Sequence, residues 1–362
     1  MKTNFQTFLG LPLLLPAAAF AAEEPAAGVK PDLLYVSSEL LERANPDYPG
    51  SALSRGEEGW VQMSFIVTKD GVVAESMVKD SSGNEAIEKA AIKALNKWKF
   101  KPATVGGEPV DSSETQAIMR FEIQGNGEGV SRSFVRKYRE VMELIKSGNL
   151  AEAETKITDL RFAEKYNLYE DAWFWWLDTL YADAIGDKDR KRESVQKSLA
   201  MGDTNLPGDL FLQASQTAYI VNVENFSFKD ALTYLDKLKA SEKSREVESF
   251  DAVVGKLEEH AAELRAFIDG EQIIQVAGKI DDNSYWYHSL ARHVFSIGEV
   301  QGKVEAVEIR CNFYQTRRYE FVADVEWNIP ASWQDCSLFV RGDPATTFTL
   351  YELPPRETSS AE

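Results

Sequence analysis

The chain is poor in the residues from which most chemical sites are made. Its 362 residues include only three histidines and two cysteines. No Gly-x-Ser-x-Gly, His-Glu-x-x-His or P-loop signature occurs, so nothing in it calls for acyl-transfer, zinc or nucleotide chemistry. His288 and His293 are five positions apart, which puts them on opposite faces of a strand or about 140° apart on a helix. They do not converge on one metal ion. His260 shares a helix face with Glu263, and a solvated charged face accounts for that pair. The expectation is a non-enzymatic chain with no catalytic residue, cofactor or metal site. Positive charge is also in deficit: 40 basic against 58 acidic residues give a net charge of −18. Such a charge repels phosphate backbones and anionic lipid, which excludes nucleic acid as a partner.

Long apolar runs are missing as well, apart from one near the start. Lys2 precedes an apolar run from Phe8 to Ala22, and Ala19-Phe20-Ala21 offers a small-x-small cleavage site. The run contains Pro12 and Pro16 and falls short of the about 20 residues a spanning helix needs. Residues 1–21 therefore read as a secretory signal peptide, and the mature chain is expected in the periplasm without stable membrane insertion. In that oxidising compartment Cys311 and Cys336 are expected to pair, closing a loop worth about 3 kcal/mol in the chain-entropy model.

What is present is ordinary globular material, 44% hydrophobic and 27% charged, long enough for several domains. Residues 22–41 begin with Ala, Pro, Gly and charge without periodicity, the mark of a flexible leader. From Trp60 to Thr68 the apolar residues Val61, Met63, Phe65 and Val67 alternate, as in a half-buried strand. Lys69-Asp70-Gly71 supplies a hairpin turn, with Gly71 free to take positive φ, and Val72 to Val78 forms the return strand. Ser81-Ser82-Gly83-Asn84 opens a helix whose inward face carries Ile87, Ala90, Ala91, Ala94, Leu95 and Trp98, with Pro102 as its stop. After a turn at Gly106-Gly107, Met119, Phe121 and Ile123 alternate in a third strand. The order β-β-α-β predicts an α+β layer of helix on sheet.

These residues carry a family resemblance. Asn45-Pro46-Asp47-Tyr48-Pro49, Glu58-Gly59-Trp60-Val61, Asp70-Gly71-Val72-Val73 and Trp98-Lys99-Phe100-Lys101-Pro102-Ala103 resemble the TonB C-terminal domain, in order and at family spacing. The resemblance covers residues 42–124, under a quarter of the chain. It implies a module whose last strand accepts an extended peptide by edge pairing, as TonB does with the TonB box of outer-membrane receptors. The residues it points to are Asn45, Tyr48, Gln116, Ala117, Ile118, Met119, Arg120 and Phe121. Asn45 stands where the family has a glutamine that meets the TonB box. With residues 1–21 read as a cleaved signal, the chain is expected to work without the spanning N-terminal helix and the long proline-rich reach of TonB. A periplasmic adaptor that binds a protein or peptide is thus the leading expectation, with an outer-membrane receptor as one such partner. An anchored energy transducer is the alternative if residues 1–21 are retained.

Gly125-Asn126-Gly127-Glu128-Gly129 looks like a phosphate loop in its glycine spacing, but it lacks the third glycine at the required offset and reads as a linker. Residues 130–268 are helical by pattern. Gly148-Asn149-Leu150, Gly186-Asp187-Lys188 and Phe226-Ser227-Phe228 recur at intervals of 38 and 40 residues, somewhat longer than the about 34 residues of a tetratricopeptide repeat. Ala153 and Ala231 sit where such a repeat brings its two helices close, whereas the second unit has Lys191. Trp173, Phe174, Trp175, Trp176 and Tyr181 crowd one helix and are expected to pack inter-helix space, with part of the run exposed. From 271 to 353 the period switches to 2. Ile273–Val276, Tyr285–Phe295, Lys303–Asn312, Arg318–Trp327, Ser337–Arg341 and Thr346–Leu353 read as about six strands of a small antiparallel sandwich. The segment 354–362 reads as a disordered tail. The predicted fold class is multidomain: an α+β module, a helical repeat stack and an all-β domain.

Overall fold

The computed structural model describes residues 35–125, 129–163, 167–312, 317–330 and 333–354. The expected signal peptide, most of the expected leader, the middle of the glycine-rich linker and the tail beyond Pro354 lie outside them.

The chain opens with β1 (Tyr35–Val36), β2 (Glu39–Glu42), α1 (Gly50–Arg55), β3 (Gly59–Val67), β4 (Val73–Ser81), α2 (Glu85–Leu95), β5 (Lys99–Lys101), β6 (Ala103–Val105), β7 (Glu108–Val110) and β8 (Ser112–Phe121). The antiparallel sheet β4-β3-β8 with α2 across it is the predicted β-β-α-β layer. Around it, β2 pairs with β5, and β1 and β7 flank β6. Part of the expected leader is therefore strand, because β2 finds the free backbone of β5.

Local chemistry explains the punctuation. Asn84 caps α2, its side-chain oxygen accepting the Ala86 and Ile87 N–H groups at 3.0 and 3.2 Å, which satisfies two of the donors a helix start leaves free. The helix ends at Leu95, well before Pro102, and Trp98 fills the core from the loop beyond it. Gly71 has φ +77°, and a Cβ there would lie 2.1 Å from the Phe100 carbonyl oxygen. Only glycine lets the hairpin turn approach β5 closely enough for the Phe100 N–H to bond the Gly71 carbonyl at 2.8 Å.

Eight helices follow: α3 (Arg132–Lys146), α4 (Leu150–Ala163), α5 (Leu168–Ile185), α6 (Lys188–Ser198), α7 (Gly208–Glu224), α8 (Phe228–Ala240), the short α9 (Glu242–Arg245) and α10 (Phe250–Ile268). The turns between α3 and α4, α5 and α6, and α7 and α8 share one left-handed residue, at Gly148 (φ +76°), Gly186 (φ +72°) and Phe226 (φ +57°). Phe226 thus occupies the conformation that glycine supplies in the other two. Ala153 and Ala231 are fully buried, and Lys191 reaches outward to Asp183 at 2.6 Å. Helix α5 is apolar nearly all round because it is buried nearly all round. Phe174, Trp175 and Tyr181 pack towards α3 and α4, Trp176 packs towards α7, and Trp173 alone of the aromatic run is half-buried.

The last part holds β9 (Ile274–Lys279), β10 (Tyr285–Ser289), β11 (Val294–Gln301), β12 (Val304–Asn312), β13 (Arg317–Glu320), β14 (Trp327–Asn328), β15 (Gln334–Gly342) and β16 (Thr347–Leu353). They form two antiparallel sheets, β10-β15-β12-β13 and β14-β11-β16-β9, packed around Phe295, Ile297, Val307, Leu338 and Leu350. Two stretches read as single strands are each two. Tyr285–Phe295 breaks at Leu290–His293, where the chain crosses from one sheet to the other. Glu352, buried, holds that corner by accepting the Ala291 and Arg292 N–H groups at 2.8 and 2.7 Å and contacting His288 Nε2 at 2.9 Å. Arg318–Trp327 breaks after Glu320. Cys311 and Cys336 are disulfide-bonded. They face each other on neighbouring strands of one sheet, so the bond ties β12 to β15 rather than sheet to sheet.

Candidate functional site

Strand β8 ends the hydrogen-bonding order of its sheet, which makes it the candidate acceptor edge. Several of its described side chains are already committed. Ala117, Met119 and Phe121 point into the core against α2, half-buried Ile118 joins the opposite face beside Trp60, and Arg120 is exposed. Gln116 lies on the same strand. What such a strand offers a partner is backbone N–H and C=O groups, held in register by the pairing of Met119 with Val61 and Ile118 with Gln62. Strand β12 of the last part packs against β8.

The other expected residues do different things. Asn45 is exposed in the loop before α1. Half-buried Tyr48 makes internal contacts: its hydroxyl donates to the Glu57 carbonyl at 2.6 Å and its ring meets Phe121 edge-on at 5.6 Å. Burial, with Glu58 and Glu57 nearby, pushes its hydroxyl up to about 12. His260 is exposed, with Nδ1 2.9 Å from the Tyr219 hydroxyl. Among the described residues no group of three or more His, Cys, Asp or Glu side chains is arranged to hold a metal ion.

The unforeseen feature is the outer face of the β4-β3-β8 sheet. A half-buried strand should leave Trp60, Ser64 and Ile66 in water, yet all three are buried. Trp60 lies against Leu168 and Met201, and its indole Nε1 donates to Asp171 Oδ2 at 2.9 Å. Glu58 binds the Ile123 N–H at 2.9 Å and the Leu168 N–H at 3.1 Å, joining the end of β8 to the start of α5. Desolvation pushes the Asp171 carboxyl up to about 6, against the pull of Trp60 and of Arg161 and Lys197. Farther along, the Arg310 guanidinium on β12 donates to Ser64 Oγ at 3.1 Å and contacts Glu75 at 3.4 Å. It also donates to buried Glu308, which takes a second bond from Arg341 at 3.0 Å. The sheet is clamped between the helices on one part of its outer face and the sandwich on another. Between those contacts lies a cavity of about 590 Å³ lined by all three parts of the chain.

Comparison with known proteins addresses the first part alone. Residues 44–123 match the family described as Gram-negative bacterial TonB protein C-terminal. Protein tonB2 of Pseudomonas aeruginosa is 41% identical over 71 residues, covering 20% of this chain and 26% of the relative. Protein TonB of Vibrio cholerae is 32% identical over 83 residues, covering 23% and 34%. The solution NMR structure of the Pseudomonas aeruginosa TonB CTD shares 28% identity over 25% of this chain and 91% of that one, with a TM-score of 0.23. The chain spans about a quarter to a third of the length of these curated relatives.

Proposed function

We propose, residues 44–123 being a TonB C-terminal domain, that the protein is a non-catalytic adaptor of the cell envelope. In this reading it holds a protein or peptide partner connected with TonB-dependent transport. The observation that carries it is the position of β8, last in its sheet, with its inward side chains locked in the core. Such a strand is a rigid template whose remaining capacity is backbone pairing. Because β12 packs against it, an incoming peptide pairs beside the sandwich rather than on an isolated module. The helices serve as a second holding surface in a tetratricopeptide-like stack, a reading supported by the three equivalent left-handed turns. The periplasm is the compartment where both surfaces meet outer-membrane proteins, and no described helix is long and apolar enough to cross a membrane.

A synthetic peptide carrying a receptor TonB box, titrated into the isotopically labelled full chain, tests this reading. The backbone amides of Ala117–Phe121 are expected to shift and to exchange more slowly with solvent. Absence of binding, or binding that leaves those amides unmoved, would overturn it.

A further inference from the structure

The cavity between the three parts has a volume of about 590 Å³, within the range of about 300–1,000 Å³ that holds small organic ligands. Its walls bring together cations far apart in sequence: Lys79 from β4, Arg192 from α6, Lys237 from α8 and Lys279 from β9. Each lacks an ion-pair partner among the described residues, in a chain whose net charge is −18. Five carboxylates share the same walls, and three of them are engaged. Asp80 and Glu193 both engage Lys197, at 3.6 and 3.0 Å, and Asp281 accepts the Asn283 and Tyr285 N–H groups at 2.9 and 3.4 Å. Asp189 and Asp230 sit in the first turns of α6 and α8, where the helix dipole favours negative charge.

Two of the cations are held over aromatic rings. The Lys79 ammonium lies 3.9 Å from the centre of the Tyr287 ring, and that of Lys237 lies 5.1 Å from Tyr234. A ring face attracts an ammonium without accepting all of its N–H donors, so hydrogen-bonding capacity remains. Desolvation by its surroundings holds Lys237 below the ordinary lysine range, with Asp230 opposing that effect and Lys79, more weakly, adding to it.

We propose that this cavity binds a small organic anion with two or more carboxylates, of the size of a short acidic peptide, with Lys79 and Lys237 as its principal contacts. The ammonium groups are spread over separate walls, which suits carboxylates spaced along a molecule. Because the contacts come from all three parts of the chain, the ligand also braces them against one another.

Calorimetric titration of the full chain with triglutamate, triglutamine and inorganic phosphate tests the assignment. Triglutamate is expected to bind saturably at one site, and triglutamine at least about tenfold more weakly, since charge-assisted hydrogen bonds are lost. The double variant Lys79→Met/Lys237→Met is expected to weaken triglutamate about tenfold or more while melting no lower than the parent. The melting curve separates loss of the site from loss of the fold, and the single Lys237→Gln variant gives a second reading if the double variant unfolds. No triglutamate binding, equal triglutamine or phosphate binding, or unchanged affinity in a folded variant would overturn the proposal.

Discussion

Replacing Arg310 with methionine is expected to destabilise the protein by about 3 to 5 kcal/mol, the usual loss when one partner of a buried ion pair is removed. Arg310 and Glu308 are both fully buried on β12. The guanidinium bonds Glu308, reaches Ser64 and Glu75 in the first domain, and stacks 4.6 Å from the Phe339 ring centre. Methionine keeps much of the volume and none of the donors. Glu308 would then rest on Arg341 alone, and Arg341 is 20% exposed. Ser64, itself buried, would lose that partner. The double variant Glu308→Gln/Arg310→Met removes both charges and is expected to recover part of the loss. Urea denaturation of the parent, single and double variants measures this directly. A double variant less stable than the single would mean that the buried charge is not the source of the cost.

Truncating Trp60 to alanine is expected to cost about 3 to 5 kcal/mol through lost burial and the cavity left behind. The indole is 1% exposed and sits where β3 meets α5. Its second role is electrostatic, since its N–H steadies the Asp171 carboxylate across the interface. Trp60→Phe keeps most of the apolar contact but strands that carboxylate, at about 1 to 3 kcal/mol. Asp171 also gives stability a pH dependence of definite sign. Its carboxyl is raised from an ordinary 3.8 to about 6 in the folded chain, so the folded state binds the proton more tightly than the unfolded one. The corresponding stability is fully present below about pH 4 and is lost as pH rises through about 6, amounting to about 3 kcal/mol. Asp171→Asn should flatten that window and, at pH 8, be more stable than the parent.

The first domain was legible because its signals are local. The alternation of Val61, Met63, Phe65 and Val67, the turn glycine at Gly71 and the helix start at Asn84 each act over a few residues, and each does what its chemistry predicts. The opposite face was not legible. Trp60 is buried by Leu168 and Met201 and Ser64 by Arg310, and no periodicity within β3 records neighbours so distant in sequence. The interface role of two charged residues of β12 was hidden for a related reason: Glu308 and Arg310 have the composition of a strand's wet side, yet both are buried. Strand breaks were missed where the chain turns a corner without proline or glycine. Leu290–His293 reads as continuous, and the carboxylate that bends it, Glu352, is more than fifty residues away. The cavity between the three parts assembles side chains from 62 to 288, so only the fold could bring it into view.

Native-state hydrogen exchange of the full chain tests most directly whether the TonB-type sheet is built into the rest of the molecule. The amides of β3, buried on both faces, are expected to open with the same free energy as the core amides of α5 and β12, in one cooperative unit. Exchange of β3 and β8 at clearly lower free energy, while α5 and β12 stay protected, would contradict it and describe a separately opening domain.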